Sequence, residues 1–280
     1  MTAIDFELPV ASAQLKSSLL LAGLSSKGKM RIHEPVATRD HTERMLMQFG
    51  YEVECADKMI SLEGGGTLRG IDIEVPADIS SAAFYMVGAC IADDSDIIIE
   101  NVGINPNRDA VIHILREMGA DITVLNEKLV SGEPVADIKV RSSDLHGIDI
   151  PESKVPVAID EFPAIMVAAA SAKGVTRLTS AGELRIKESD RITAMSEGLR
   201  TLGIDVEEQE AGMTVVGGTI AGGEVNSFAD HRIAMAFAIA GLSATAPIIV
   251  KDCANVETSF PGFVDIAKNV GLDLVVQEKL

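Results

Sequence analysis

The stretch Arg200-Thr-Leu-Gly203-Ile-Asp-Val-Glu207 ends an amphipathic helical pattern at a glycine and continues into residues that alternate between apolar and polar. Glycine at a helix C-terminus supplies the left-handed conformation that ends the helix, and the alternation after it suits a half-buried strand. Three further copies of this pattern contain Gly50, Gly119 and Gly271, and the four glycines are separated by 69, 84 and 68 residues. A period of this length indicates a repeated supersecondary unit rather than a solenoid of short repeats.

Each copy contains a first helix that is apolar around most of its circumference and is therefore expected to lie in an interior. The order strand, buried helix, strand, outer helix, strand, strand predicts an α/β fold with helices sandwiched between sheets. The expected first helices are residues 12–24, 80–91, 162–172 and 233–242, the second helices begin near residues 40, 108, 189 and 260, and the strands after the glycines are 51–54, 120–124, 204–207 and 272–276.

The composition indicates a large aliphatic core and an acidic surface. Of 280 residues, 47% are hydrophobic, yet none is Trp and two are Tyr. This length allows one large domain or two of ordinary size. The formal net charge of -18 argues against nucleic acid or an anionic membrane surface as the main partner. The most apolar window, residues 233–250, is interrupted by Gly241 and Pro247 and favours a buried helix, a turn and a strand over a membrane span.

The cysteines and several missing motifs narrow the function class. Cys55, Cys90 and Cys253 are odd in number and widely spaced, which indicates reduced thiols and a cytoplasmic protein. No His, Cys or Glu cluster has zinc-ligand spacing. No glycine-rich phosphate loop and no Gly-x-Ser-x-Gly elbow occurs. The hydrolase, dehydrogenase and metalloenzyme classes therefore lack support.

The charged stretch at residues 183–192 precedes the second helix of the third copy. Ser189 or Asp190 is expected to start that helix, with Lys187 and Arg191 close to the start and Glu188 between them. A helix start favours anions, so the cluster suits an anionic substrate with an acid or base beside it. A capped helix with a ladder of surface ion pairs explains the same residues, and both interpretations stay open at this point.

Polar residues also occupy the other helix starts. Residues 11–17 would place the hydroxyl of Ser12, the amide of Gln14 and the ammonium of Lys16 near free backbone N–H groups. Residues 38–41 open the next helix with Thr, Arg, Asp and His. Ordinary capping explains these two starts as well as ligand binding does, and it fully explains residues 78–81.

Two apolar helices begin with charged residues. Asp160 and Glu161 start one of them, as either a cap and a surface acid or a cap and a catalytic base. Asp230, His231 and Arg232 start the other. An arginine at the entrance of an apolar helix needs an anionic partner, because burying an unpaired charge is costly.

Six motifs occur in order along essentially the whole chain. They are Ala11-Ser-Ala-Gln14, Thr38-Arg-Asp-His-Thr-Glu43, Asp160-Glu-Phe-Pro163, Leu184-Arg-Ile-Lys-Glu-Ser-Asp-Arg191, Asp230-His-Arg-Ile-Ala-Met235 and Thr258-Ser-Phe-Pro261. Together they resemble the 5-enolpyruvylshikimate-3-phosphate synthase family. The resemblance implies the inside-out α/β barrel (the enolpyruvyl transferase fold) built from βαβαββ repeats, of which about four of six are present here. It also implies enolpyruvyl transfer from phosphoenolpyruvate to the 5-hydroxyl of shikimate 3-phosphate, with release of phosphate and without a metal or organic cofactor.

The resemblance further implies a phosphate site in the first copy. Ser12 and Arg39 would hold the shikimate phosphate, Ala13 would lend a backbone contact, and Gln14 would lie along the substrate. Some relatives have Ser where this chain has Ala13, so the chain resembles a variant branch with one hydroxyl fewer at the phosphate. Some also have Lys where this chain has Thr258, which leaves that phosphoenolpyruvate contact open.

Acid–base roles are implied for residues of the third and fourth copies. Asp160 would bind the shikimate hydroxyls and act as base on the attacking one, and Lys187 would contact oxygens on the same side. Glu188 would move a proton to and from the methylene carbon of phosphoenolpyruvate. The residues that would clamp the anionic groups of phosphoenolpyruvate are Arg191 and Arg232, with His231 as an orienting neighbour.

Other motifs of the family would lie upstream of Met1, so the resemblance implies that this chain lacks the N-terminal third of the enzyme. Residues 1–76 would be the last repeat of one incomplete domain, and residues 77–280 would be three repeats that form most of the other. We expect residues 1–76 to expose apolar surface. The alternative functions are an inactive C-terminal fragment that needs its N-terminal part and a UDP-N-acetylglucosamine enolpyruvyl transferase.

The expected partners are the two small-molecule substrates, shikimate 3-phosphate and phosphoenolpyruvate. Nucleic acid and membranes are not expected partners because the chain is acidic. Self-association and a complementing N-terminal segment are further options, because exposed apolar surface favours association.

Overall fold

The computed structural model describes residues 1–277 and divides into two compact units. Unit 1 consists of Met1–Pro76, Gly103–Arg108 and Glu127–Val135. Unit 2 consists of Ala77–Val102, Asp109–Asn126 and the chain from Ala136 onward. No helix in this described part of the chain is both long and apolar enough to span a bilayer.

Unit 1 contains one complete copy of the repeat. Its elements are β1 (Asp5–Glu7), α1 (Ala13–Leu24), β2 (Lys29–His33), α2 (His41–Gln48), β3 (Val53–Ala56) and β4 (Met59–Glu63). The four strands form a sheet in the order β1-β2-β4-β3, in which β1 is parallel to β2 and the other pairs are antiparallel. Met30 and Ile32 alternate with more exposed residues along β2, and they join Leu20 and Leu62 in the core of this unit.

The expectation that the first helix of every copy is interior is wrong for α1. Only Lys16, Leu20 and Gly23 of this helix are buried, and Leu21 is 54% exposed. The physical reason is that α1 packs against β2 and β4 with one face, and an apolar helix is buried all round only where elements cover every side. The expected exposure of apolar side chains within residues 1–76 is confirmed, since Val10 and Val75 are also exposed.

From residue 77 onward the arrangement recurs in part: within residues 77–277 every copy has a first helix, a strand and an outer helix, a strand precedes the first helix only in the fourth copy, and two strands follow the outer helix only in the second and third copies. The elements of the second copy are α3 (Ile79–Ile91), β5 (Asp96–Gly103), α4 (Ala110–Glu117), β6 (Asp121–Val130) and β7 (Glu133–Arg141). The third copy has α5 (Phe162–Ser171), β8 (Val175–Leu178), α6 (Arg191–Thr201), β9 (Asp205–Gln209) and β10 (Gly212–Val216), and the fourth has β11 (Gly223–Asn226), α7 (His231–Ala240), β12 (Ile248–Lys251), α8 (Asn255–Ser259) and α9 (Phe263–Asn269). Their sheets have the orders β5-β7-β6, β8-β10-β9 and β11-β12. The chain is therefore an α/β protein built from one repeated arrangement.

Helices α3, α5 and α7 form the interior of unit 2, as predicted for first helices. They pack on one another, and nearly every residue of α5 is buried. Full burial of a phenylalanine such as Phe162 or Phe237 contributes about 1.5–3 kcal/mol. Helix α6 also approaches α7 closely, because Gly198 faces the ring of Phe237 and a Cβ at position 198 would lie 2.1 Å from the ring Cζ.

The four helix-ending glycines have the left-handed backbone that the repeat predicted. Their φ angles are +77° at Gly50, +95° at Gly119, +85° at Gly203 and +102° at Gly271. Strands β3, β6 and β9 follow the first three, as expected. The strand expected at residues 272–276 is wrong, because these residues form no regular structure in the described chain. A strand requires a hydrogen-bonded neighbouring strand, and within residues 1–277 no strand pairs with these residues.

Candidate active site

The charged stretch before α6 folds as a short 3₁₀ helix, Gly182–Ile186, followed by a helix start at Asp190. The carboxylate of Asp190 accepts a hydrogen bond of 3.0 Å from the backbone N–H of Thr193, so Asp190 is the N-cap of α6. This confirms the predicted helix start. Lys187 and Glu188 lie on the segment between the two helices, and Arg191 is the first residue of α6.

Arg191 lies at the centre of a cluster of carboxylates in unit 2. Its side chain is only 1% exposed. Its Nε is 2.8 Å from Oδ2 of Asp230, its Nη1 is 3.5 Å from Oδ1 of Asp160, and its Nη2 donates to the carboxylate of Glu188. Asp230 is fully buried, whereas the side chain of Glu188 is 52% exposed. The guanidinium therefore joins the starts of three helices, α5, α6 and α7.

Asp230 is a site residue that the sequence interpretation treated only as part of a helix entrance. Its carboxylate caps α7 by accepting from the backbone N–H of Arg232 at 2.9 Å, and it also accepts from the hydroxyl of Ser189 at 3.0 Å. Burial by itself would raise the pKa of Asp230, but the hydrogen bond and the charge of Arg191 outweigh burial and hold the pKa below its ordinary value. Asp230 therefore stays ionised as the buried counter-ion of Arg191.

Asp160 and Lys187 form the next part of the cluster. The Nζ of Lys187 lies 3.6 Å from Oδ1 of Asp160 and 2.5 Å from Oε1 of Glu183. The neighbour of Asp160, Glu161, is neither a side-chain cap nor a surface acid as the sequence interpretation allowed. Glu161 is 1% exposed and accepts a hydrogen bond from Ser80. Asp160 is thus the carboxylate that faces two cations.

Arg232 has donors that no carboxylate of the described residues occupies. Its Nη1 donates to the backbone oxygen of Asp160 at 3.1 Å. Within residues 1–277, its Nε is buried without a hydrogen-bond partner and its guanidinium forms no ion pair. The anionic partner that the sequence demanded for Arg232 is therefore not a protein side chain of the described chain. The adjacent His231 has a pKa lowered by burial and by the charge of Arg232, which keeps its imidazole neutral near pH 7.

Arg185 is a second residue that the sequence interpretation did not single out. Its Nη1 is 2.7 Å from Oδ2 of Asp190, its Nη2 is 3.2 Å from Oε1 of Glu208, and its Nε donates to the backbone oxygen of Glu210 at 2.7 Å. These bonds attach the segment that carries Lys187 to strand β9 and the turn after it. The sequence signals for Arg185 were its place within the charged stretch and within the motif Leu184–Arg191.

The remaining predicted residues lie in unit 1. Ser12 is the N-cap of α1, and its hydroxyl accepts from the backbone N–H of Leu15 at 3.2 Å. Ala13 and Gln14 form the first turn of that helix, whose N–H groups point out of the helix start. Arg39 lies in the loop before α2 and is half-buried. The start of α1 and this loop are the two places in unit 1 to which the sequence interpretation assigned an anion, and a helix start attracts anions.

Two other polar residues of unit 1 differ from expectation. Lys16 does not offer its ammonium at the helix start, because it is buried with Glu34 and Glu43 as counter-ions. Asp40 stands at the start of α2 but makes no side-chain cap. Burial would raise the pKa of Asp40, but hydrogen bonds from Asn105 and Arg44, with the charge of Arg44, hold it below the ordinary value.

The two units thus each contain one set of polar residues at helix starts. Unit 2 brings together three cations and two accessible or partly accessible carboxylates, Asp160 and Glu188. Such an arrangement can bind an anion and transfer protons beside it. Among residues 1–277, no group of three or more His, Cys, Asp or Glu side chains is arranged to hold a metal ion.

This repeated α/β architecture, with cations gathered at helix starts, defines the class of enolpyruvyl transferase folds. A 2.37 Å structure titled EPSP synthase from Acinetobacter baumannii superposes with a TM-score of 0.95 at 52% identity, over 99% of this chain and 64% of that one. The predicted α/β fold of this class is therefore confirmed.

The chain belongs to the EPSP synthase (3-phosphoshikimate 1-carboxyvinyltransferase) family, whose family model matches residues 1–266. The protein named 3-phosphoshikimate 1-carboxyvinyltransferase from Alkalilimnicola ehrlichii is 60% identical over 272 residues, which are 97% of this chain and 61% of that protein. The protein of the same name from Nitrosococcus oceani is 58% identical over 269 residues, 96% of this chain and 61% of its own length. The chain thus spans about 61% of the length of these relatives.

Proposed function

We propose that this chain acts in enolpyruvyl transfer from phosphoenolpyruvate to the 5-hydroxyl of shikimate 3-phosphate, a step of aromatic amino acid biosynthesis in the cytoplasm. The observation that carries the proposal is the cluster around Arg191, in which Lys187, Asp160 and Glu188 are joined through ion pairs. The names of the relatives support this reaction. The proposed partners are the two small-molecule substrates and phosphate as product.

The reaction requires one proton to arrive at the methylene carbon of phosphoenolpyruvate and one to leave it. Protonation of that carbon makes its neighbour electrophilic, the 5-hydroxyl attacks the neighbour and loses its proton, and phosphate departs as the methyl carbon gives a proton back. Two carboxylates with separate tasks suffice for this sequence. We assign the hydroxyl proton to Asp160 and the carbon-bound proton to Glu188.

Solvent exposure favours Glu188 over Asp230, the fully buried carboxylate that also contacts Arg191, as the acid that exchanges a proton with the substrate carbon. Asp230 is fully buried and its oxygens already accept from Arg191, Ser189 and a backbone N–H, so it cannot reach a ligand. Glu188 is 52% exposed and keeps its place through the same guanidinium. Glu188 is therefore the acid that can meet a substrate carbon.

The cations have complementary tasks in the proposal. The Nε of Arg232 has no hydrogen-bond partner within residues 1–277, so Arg232 would bind an anionic group of phosphoenolpyruvate, with Arg191 and the neutral His231 beside it. Lys187 would contact a shikimate oxygen near Asp160, 3.6 Å from its Nζ. Stabilising charge where it develops is the largest single contribution in many such reactions.

In unit 1, we assign the phosphate of shikimate 3-phosphate to the start of α1 and to the loop before α2. Ser12 and the N–H groups of Ala13 and Gln14 form a helix N-terminus, which attracts anions. Arg39 would supply the charge. We also propose that residues 1–76 are the last repeat of one domain of the family and residues 77–280 are three repeats of the other.

The test follows phosphate release from the two substrates, by the chain alone and with a segment that supplies the part of the Alkalilimnicola ehrlichii relative outside the matched residues. Glu188→Gln should lower turnover about 10²–10⁴-fold, because the amide cannot transfer the proton. Glu197→Gln, on the exposed face of α6, is the matched control and should leave turnover unchanged. Equal turnover in Glu188→Gln would refute the role of Glu188. No release under either condition, from a folded chain, would refute the proposed activity.

A further inference from the structure

A group of three buried charged residues in unit 1 has no place in the proposed chemistry. Lys16 of α1, Glu34 after β2 and Glu43 of α2 form this group, which we call the Lys16 triad. The Nζ of Lys16 is 3.1 Å from Oε1 of Glu34 and 2.6 Å from Oε1 of Glu43, and all three side chains are at most 4% exposed. Buried ion pairs add little stability over apolar residues of similar volume, because desolvation offsets the attraction. Stability alone therefore does not explain the triad.

The second carboxylate oxygen of Glu34 connects the triad to a loop. Its Oε2 accepts from the backbone N–H of Thr38 at 3.1 Å and also from the Thr38 hydroxyl. Glu34 thus uses one oxygen to hold a lysine of α1 and the other to hold the residue immediately before Arg39. Hydrogen bonds to an ionised carboxylate are roughly twice as strong as neutral ones, so this connection restricts the loop.

The triad also lies next to the start of α1, the second place in unit 1 where we assign an anion. Lys16 is one helical turn after Ser12, and its backbone N–H donates to the backbone oxygen of Ser12 at 3.0 Å. The same lysine is therefore rigidly connected to the start of α1 through the helix and to the loop of Arg39 through Glu34. Glu43 adds a connection to α2, the helix that this loop enters.

We propose that the Lys16 triad is a positioning device that fixes the loop of Arg39 relative to the N-terminus of α1, and so sets the spacing of two groups that bind one phosphomonoester. The identity of the ligand rests on the proposed function. The restriction of the loop, which we call the mechanical part, does not rest on the proposed function. It concerns only how Lys16 holds Glu34 and how Glu34 holds Thr38. The three triad residues contact no ligand in this proposal and act through Arg39 and the helix start.

The mechanical part is tested by amide hydrogen exchange on the full chain. Lys16→Met keeps the length of the side chain and removes its charge, which leaves Glu34 buried without a close cation and drives it towards solvent. The Thr38 amide should then exchange at least about tenfold faster relative to the Tyr51 amide. The Tyr51 amide donates to the backbone oxygen of Leu46 at 3.0 Å, at the end of α2, and serves as the reference amide outside the loop of Arg39. Equal acceleration of both amides, or no change at Thr38, would overturn the proposal.

A second test uses a variant that is expected to disturb folding less than Lys16→Met does. Thr38→Val removes one hydroxyl donor to Glu34 and leaves the triad in place, whereas Thr38→Ser restores the donor. Ser17→Ala is the matched control, because it removes a 2.7 Å hydroxyl contact between α1 and α2, to Thr42, that does not involve the triad. Calorimetric titration with shikimate 3-phosphate should show binding weakened about tenfold in Thr38→Val and unchanged in Thr38→Ser and Ser17→Ala. Equal weakening in Thr38→Val and Ser17→Ala, or none in Thr38→Val, would overturn the positioning role.

The outcomes separate this inference from the proposed function. If the unaltered chain does not bind shikimate 3-phosphate but Lys16→Met frees the Thr38 amide, the phosphate assignment fails and the mechanical role stands. If the unaltered chain binds the ligand and both Lys16→Met and Thr38→Val leave affinity and Thr38 exchange unchanged, the phosphate assignment stands and the positioning role fails.

Discussion

Replacing Asp230 with alanine would leave the guanidinium of Arg191 without its fully buried counter-ion. Removing one partner of a buried pair costs about 3–5 kcal/mol, because the remaining charge stays in a low-dielectric site. The loss of the N-cap of α7 adds about 1 kcal/mol. Glu188 and Asp160 also contact Arg191 and offset part of this cost. We therefore expect the free energy of unfolding to fall by about 3 kcal/mol, near the lower end of the range for a buried pair.

The assay is urea unfolding followed by far-ultraviolet circular dichroism, with Asp190→Ala as the matched control. Asp190 is also the N-cap of a helix and also pairs with an arginine, Arg185, but its side chain is 39% exposed. Its replacement should cost about 1 kcal/mol, since a solvated pair contributes little beyond the cap. A loss in Asp230→Ala no larger than that in Asp190→Ala would refute the reasoning from burial.

The ion pair of Arg191 and Asp230 also predicts that the free energy of unfolding depends on pH. The pKa of Asp230 is lower in the folded chain than its ordinary value of 3.8, so the stability that its ionisation contributes is complete above that value. That contribution is lost as the pH falls below 3.8 and through the folded pKa. The difference in unfolding free energy between the unaltered chain and Asp230→Ala should therefore be constant between pH 5 and 7 and shrink at lower pH. A difference that grows with acid would contradict the sign.

Three further predictions concern packing, loop attachment and protonation. Gly198→Ala should cost about 1–3 kcal/mol in thermal unfolding, because the new Cβ would lie 2.1 Å from a ring carbon of α7, whereas Gly182→Ala, with its closest neighbour at 3.8 Å, should be nearly neutral. Arg185→Ala should weaken phosphoenolpyruvate binding about tenfold in calorimetry, because the segment before α6 loses its attachment to β9. Nuclear magnetic resonance titration should place the pKa of His231 below 6.5, because burial opposes its protonation.

Each of these three has an outcome that would contradict it. Equal melting temperatures for the two glycine variants would show that α6 and α7 can separate freely. For Arg185, the control is Arg200→Ala, since Arg200 donates to the backbone oxygen of Val206 at 2.9 Å and is not bonded to the segment before α6. Equal weakening by both arginine variants would point to a general effect on β9. A pKa of His231 above 6.5 would mean that a carboxylate, rather than burial, controls it.

The repeat and its helices were predictable because their signals are local. A glycine that ends a helix and the alternation after it lie within ten residues, and the φ angles at Gly50, Gly119, Gly203 and Gly271 agree with the prediction. The strand expected at residues 272–276 failed because pairing depends on a neighbour elsewhere in the chain. The partly exposed α1 failed for a similar reason, since apolar composition does not reveal what covers a helix.

The sequence identified most residues of the candidate site, but it did not indicate which of them contact one another. Charged helix starts identified Asp160, Glu188 and Arg191 as candidates, but the buried pair of Arg191 and Asp230 joins residues 39 positions apart. Sequence spacing carries no information on a contact of that range. The prediction that the Lys16 ammonium lies at the helix start was wrong for a similar reason. Its counter-ions lie elsewhere in the chain, and they hold the ammonium in the core.

The close approach of Gly198 to the ring of Phe237 makes distant positions in unit 2 interdependent. Gly198 follows Arg191 by two turns of α6, and Phe237 follows Asp230 by two turns of α7, so the contact sets how near the two helix starts can come. A larger residue at position 198 would increase the distance between Arg191 and Asp230. Replacing Phe237 with a smaller residue would restore that distance. Changes at the two positions should therefore show epistasis, in which a substitution harmful alone becomes tolerated once its counterpart has been made.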